Sequence, residues 1–225
     1  MKAFYTFVQL CSIIIFATLC SFTPTAISYF LLIILILRMI LFIRPTKGEK
    51  IQDFQEPQKI LLVIDMQEAM CGKDGIYPQK EEFVSSVNRI IIEVKEQGQK
   101  IVYICQEFHH FDFLFCFISM GGCLFQGSKG ASICSDLKVE NNEVFVKHQQ
   151  DAFTSKSFSE YLKENRVDTI SIVGLDSSAC VYKTALGAIN RGYHVNIIKN
   201  GVLGKSVNST EKALKKLSTK GVSIY

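Results

Sequence analysis

Hydrophobic positions fall into two regimes along this chain. From Ala3 to Leu37 no charged residue occurs, a longer apolar stretch than the ~20 residues one membrane-crossing helix needs. Thr23-Pro24-Thr25 interrupts it. It reads either as a helical hairpin, about 4–22 and 27–42, or as one tilted anchor near 28–43. Residues 46–58 are polar with a proline at each approach, which reads as a linker. Beyond them the pattern alternates. Short continuous apolar runs at 59–64, 100–105, 143–146, 169–173, 193–198 and 222–224 have the character of strands buried on both faces. Between them, helical spacing predicts helices over 80–97, 157–165, 178–190 and 209–217. Strand–helix alternation implies an α/β domain over 59–225, with a parallel sheet covered by helices on both sides.

One segment breaks the alternation. In 108–128, Phe111, Phe113, Phe115 and Phe117 recur at every second position, which reads as an extended segment with one apolar face. Such a face suits a pocket wall, a membrane surface or ordinary core packing.

Charge sharpens the division. The chain has 25 Lys+Arg and 21 Asp+Glu, and its net charge is +4. Residues 1–45 contain Lys2, Arg38 and Arg44 but no acid, so the folded part is nearly neutral. That argues against a nucleic-acid partner, which calls for a basic stripe on the domain. Arg38 is placed to snorkel, and Arg44, Lys47 and Lys50 follow the apolar run. The positive-inside rule then puts the domain in the cytoplasm, tethered to the membrane through its N-terminus. Eight cysteines show no CxxC spacing, so reduced thiols are expected rather than a disulfide framework.

In parallel sheets, sites form where strands end at their carboxyl edge. Asp65 follows the first predicted strand and Lys147 the third. After the fourth comes the turn Gly174-Leu175-Asp176-Ser177-Ser178-Ala179, and then Cys180 opens a helix. An acid, an amine and a thiol are thereby brought to one edge. The thiol is the strongest nucleophile of the three; a helix N-terminus and a nearby cation lower its pKa, and a carboxylate can move its proton. A G-x-S-x-G elbow and a G-x-G-x-x-G loop are both absent. On residues alone two readings stand: a cysteine hydrolase, or a catalytically silent, thiol-sensing protein anchored to the membrane.

The chain from about Lys59 to Val222 resembles the isochorismatase-like cysteine hydrolases, which include nicotinamidases and carbamoylsarcosine amidohydrolases. Three segments carry the likeness: Ile60 to Gln67 (ILLVIDMQ), Val146-Lys147 with Asp151-Ala152-Phe153, and Val173 to Val181 (VGLDSSACV) with Thr184-Ala185 and Gly192-Tyr193. The resemblance implies a three-layer, Rossmann-like fold around a six-stranded parallel sheet. It implies an Asp65–Lys147–Cys180 triad, a cis peptide at Leu175–Asp176, and backbone amides of Asp176 and Cys180 as an oxyanion hole. The reaction implied is hydrolysis of a small-molecule amide through a Cys180 thioester. Relatives commonly associate, so a homo-oligomer is a further expectation.

The sequence departs from the nicotinamidases at their metal site, an Asp-x-His after the second strand and a distal histidine. Here Gln106-Glu107-Phe108-His109-His110 stands in that place, and Gly122-Cys123 where the distal ligand is due. Glu107 and His109 keep suitable spacing, but two ligands do not make a site. No metal or other cofactor is therefore expected, and Gln106, Glu107 and Phe153 are expected to line the substrate pocket. His148 is expected to point away from Lys147, and Asp151 to cap a loop.

Overall fold

The computed structural model describes residues 2–141 and 143–225. Two long helices come first, α1 (Lys2–Phe22) and α2 (Thr25–Ile43), joined at Pro24 as a hairpin. Six strands follow: β1 (Gln58–Ile64), β2 (Lys100–Gln106), β3 (Val144–Lys147), β4 (Val167–Leu175), β5 (His194–Leu203) and β6 (Ser223–Ile224). They form one parallel sheet in the order β3-β2-β1-β4-β5-β6. Chain order runs outward from β1 in one direction and from β4 in the other. The seam between β1 and β4 is therefore the topological switch point, where such sheets open a crevice at the carboxyl ends of their strands.

Alternation along β1 divides the core between two faces. Leu61 and Val63 pack with the short α3 (Glu68–Cys71), α4 (Lys80–Glu96) and α5 (Phe113–Met120). Ile60, Leu62 and Ile64 pack with α6 (Lys156–Glu164), α7 (Cys180–Asn190) and α8 (Val207–Ser218). This is the three-layer arrangement expected from the alternation. At Gly174 β4 approaches β1 so closely that an added Cβ would stand 2.1 Å from the Ile64 carbonyl oxygen. With φ at +119°, only glycine fits there without strain.

Two expectations are corrected. The segment 108–128 is not extended: a 3-10 turn at His110–Asp112 leads into α5. Phe115 and Cys116 are buried, while Phe113 and Phe117 remain exposed. Arg38 does not snorkel freely: its guanidinium grips Asp112 with two hydrogen bonds of 3.0 and 2.7 Å and lies 4.9 Å from the ring centre of Phe115. The start of the 46–58 segment is held to the domain at Thr46 and Ile51. Thr46 donates twice to Asp151, Arg191 and Asn190 reach the Thr46 carbonyl, and the Ile51 amide donates to Arg191.

Candidate active site

Asp65 leaves the end of β1 with φ at +53°, a conformation uncommon outside glycine and concentrated at functional positions. The turn holds its carboxylate against Lys147, the last residue of β3. Lys147 has no exposed surface, and a buried ammonium needs paired and hydrogen-bonded surroundings. It has three partners: Asp65 Oδ2 at 3.0 Å, Gln106 Oε1 at 2.8 Å and Cys180 Sγ at 3.2 Å. The acid, amine and thiol separated in sequence thus meet around one nitrogen. The second oxygen of Asp65, Oδ1, is buried without a hydrogen-bond partner among the described residues.

Cys180 is the first residue of α7, only partly covered, and opens onto the crevice. The preceding turn contains a cis peptide at Leu175–Asp176, as expected. Asp176 fixes that turn. Its Oδ1 accepts from the backbone and hydroxyl of Ser178, both at 2.6 Å, and its Oδ2 accepts from Tyr77 at 2.8 Å. Behind the triad, Gln67 bridges elements by donating to the carbonyls of Gln106 and Ala131 and accepting from the Gln106 amide.

The electrostatics differ from the expectation of a thiol with lowered pKa. Burial pushes the Cys180 thiol up, Asp65 pushes it further, and Lys147 opposes both. At Lys147 burial disfavours the charge, but the Asp65 carboxylate and the Cys180 sulfur outweigh it and hold the ammonium above its usual value. Burial and the neighbouring Asp65 thus favour the neutral thiol at Cys180, while Asp65 also favours the ammonium at Lys147.

The crevice is a cavity of about 410 Å³. Asp65, Gln106, Asp176 and Cys180 line it, together with Met70, Ile76, Phe108, Leu124 and Leu175. Glu107 and Phe153, expected along the pocket, do not line it. Glu107 stands at the edge of the sheet, its carbonyl accepting from Gln106 and facing His148. Phe153 lies on the opposite layer against Phe158 and Tyr193, beneath Arg191. Asp151 is buried and caps the turn holding Phe153, as expected, and His148 turns away from Lys147 to stack on His109 at 3.7 Å. Sequence reading missed Tyr77, whose flanking residues carry no motif. It also missed that Tyr5, Thr6, Gln9 and Phe42 of the hairpin belong to the same cavity.

The donors at the nicotinamidase metal position do not fit a metal. His109 and His148 are stacked face to face, Cys123 is buried in the core, and no group of three or more His, Cys, Asp or Glu among the described residues is arranged to hold an ion.

Residues 59–224 match the family model described as Isochorismatase domain. The nicotinamidase of Escherichia coli (strain K12) is 23% identical over 205 residues, covering 75% of this chain and 95% of that protein. Among solved structures, the pyrazinamidase of Pyrococcus horikoshii in complex with zinc superposes with a TM-score of 0.66 at 26% identity, covering 75% of this chain and 99% of its own. The N-carbamoylsarcosine amidase of Thermoplasma acidophilum gives a TM-score of 0.63 at 22% identity, covering 74% and 95% respectively.

Proposed function

The chain is an amidohydrolase of the isochorismatase family, and on that premise we propose that Cys180 is its nucleophile, Asp65 its proton carrier and Lys147 the charge that holds both in place. The observation carrying this reading is the convergence of Asp65, Gln106 and Cys180 on the buried ammonium of Lys147. A silent scaffold has no use for a buried ion pair beside a cysteine that lines a cavity.

The steps follow from the resting charges. A small-molecule amide enters with its carbonyl carbon above Sγ. Asp65, through the oxygen that lacks a partner, takes the thiol proton as sulfur adds to the carbonyl. The amides of Asp176 and Cys180 stabilise the oxyanion. The C–N bond then breaks, and Asp65 returns the proton to the departing ammonia or amine. Water adds to the thioester and gives a proton to Asp65. The C–S bond breaks, the acid leaves, and Asp65 reprotonates the sulfur. Lys147 stays charged throughout, so Asp65 is a carboxylate beside the resting thiol and again beside the thioester, and a carboxylic acid only beside the two tetrahedral adducts.

The domain is tethered to the membrane by the hairpin and faces the cytoplasm. Helices α1 and α2 are long and apolar enough to enter a bilayer, and the basic residues Arg44, Lys47 and Lys50 lie at the domain end. The test is ammonia release from a panel of primary amides by the full chain in detergent or vesicles. Turnover by the wild type and none by Cys180→Ala supports the assignment; undiminished turnover by Cys180→Ala contradicts it.

A further inference from the structure

The hairpin takes part in the cavity that holds the catalytic residues. Tyr5, Thr6 and Gln9 of α1 and Phe42 of α2 line the same cavity as Asp65 and Cys180. The matched family domain begins only at residue 59, so this wall is an addition outside the family domain. It is also closely fitted. Gln9 Nε2 donates to the Ser119 carbonyl at the end of α5, at 2.6 Å. The bare Cα of Gly121 admits the backbone of Tyr5, whose carbonyl oxygen would stand 2.6 Å from an added Cβ. On α2, Arg38 clasps Asp112, and Phe42 stacks on Phe108 at 5.4 Å between ring centres.

These contacts fix where the helices leave the domain. Beyond Gln9 on α1 about 13 residues are free, and before Leu35, which packs on the core, α2 has about 10, roughly 15–20 Å at 1.5 Å per residue. Their side chains are largely exposed and apolar, Ile14, Leu19, Phe30 and Ile33 among them. Roughly 20 Å does not cross a ~30 Å hydrocarbon core. A hairpin inserted to its limit therefore holds the domain against the bilayer rather than on a stalk. Phe111 and Phe113, 84% and 55% exposed, flank Asp112 at the point where Arg38 docks. The wall formed by Tyr5, Thr6 and Gln9 then stands at the depth of the membrane interface.

We infer that the lipid bilayer is the partner of this face, and that the substrate is an amide bearing an apolar acyl chain, drawn from the bilayer along α1 into the cavity. This rests on the hydrolase reading above and specifies its substrate class. About 410 Å³ lies in the range that accepts a ligand well beyond a single small ring. Phe42, Phe108, Met120 and Leu124 give its walls apolar surface for a chain.

The test uses the full chain in phosphatidylcholine vesicles, with unbranched primary carboxamides from acetamide to dodecanamide. The expected result is that kcat/KM, referred to the concentration of amide free in water, rises about fourfold for each methylene that enters the cavity, and that Tyr5→Ala and Gly121→Val flatten this dependence. Equal kcat/KM along the series, or a slope untouched by both variants, overturns the inference. A second measurement needs no turnover and guards against misfolded variants. A diazirine-tailed primary carboxamide is photolysed with Cys180→Ala in the same vesicles. Crosslinks at residues 5–9 or at Phe42 support the chain site; crosslinks confined to other parts of the domain overturn it. Ammonia from no member of the series would strike the hydrolase reading, and the photolabel would then decide the chain site alone.

Discussion

A lysine with no exposed surface survives in a folded protein only through its partners, and the partners of Lys147 are the other members of the site. Lys147→Ala leaves the Asp65 carboxylate buried and uncompensated. It is expected to cost about 3–5 kcal/mol of folding stability, read by chemical denaturation, as well as turnover. Asp65→Asn separates chemistry from titration. Asp65 is one of the groups raising the Cys180 thiol, so its neutralisation lowers that pKa. Iodoacetamide labelling of Cys180 near pH 7.5 should become faster in Asp65→Asn although amide hydrolysis is lost, and slower in Lys147→Ala. Slower labelling in Asp65→Asn would contradict the charge assignment. Tyr77→Phe leaves Asp176 Oδ2 without its buried donor, a loss of about 1–3 kcal/mol. Asp65 and Lys147 were legible in the sequence because each stands where a strand ends, and Cys180 because it opens the helix that follows β4. Phe153 was misplaced because its spacing from Lys147 does not reveal that the chain has turned under the sheet, where Arg191 and Tyr193 receive it. The role of Gln106 was half legible: it lines the pocket, but its side-chain oxygen Oε1 accepts from Lys147.

Elements were legible wherever a period existed. Strands β1 and β2 are continuous apolar runs, and α4 repeats its apolar residues on one face, so both types followed from spacing. Helix α5 (FLFCFISM) is apolar at nearly every position, so neither period dominates, and the alternate phenylalanines imitated a strand. Tertiary contacts decide it: Phe115 and Cys116 enter the core, while the C-terminal end receives α1. The docking of α2 on this region depends on pH. The Arg38 guanidinium beside Asp112 holds that carboxyl below the usual carboxylate range. A lowered folded value contributes stability above the unfolded pKa, about 3.9, and that contribution fades as pH falls through the folded value. Protection from hydrogen exchange in the segment 108–121, taken relative to the unfolded chain at the same pH, is therefore expected to fall below about pH 4 in the wild type, and to be already lower at neutral pH in Asp112→Asn. At the β1–β4 seam, Gly174→Ala forces a Cβ onto the Ile64 carbonyl. Overpacking of this kind costs about 1–3 kcal/mol, with backbone strain at positive φ in addition, measurable as a lower denaturation midpoint.

At the scale of the molecule, the strand order puts Asp65 and Cys180 on one crevice with Lys147 buried behind them, and the hairpin closes a side of it. The sheet and its site follow from the alternation of strand and helix and from three short motifs. The union of hairpin and site does not, because it depends on Gln9, Gly121, Arg38 and Asp112 meeting across roughly a hundred residues of chain, and no local pattern encodes such meetings. All eight cysteines are free thiols, so a covalent intermediate must be located among them and not assumed. Acid-quenched mass spectrometry of the full chain during turnover of octanamide does this most directly. One acyl group is expected, carried as a thioester on the peptide that contains Cys180, accumulating before ammonia release reaches steady state and absent from Cys180→Ala. Steady ammonia release with no acyl group on that peptide, or with the acyl group on another cysteine, would contradict it.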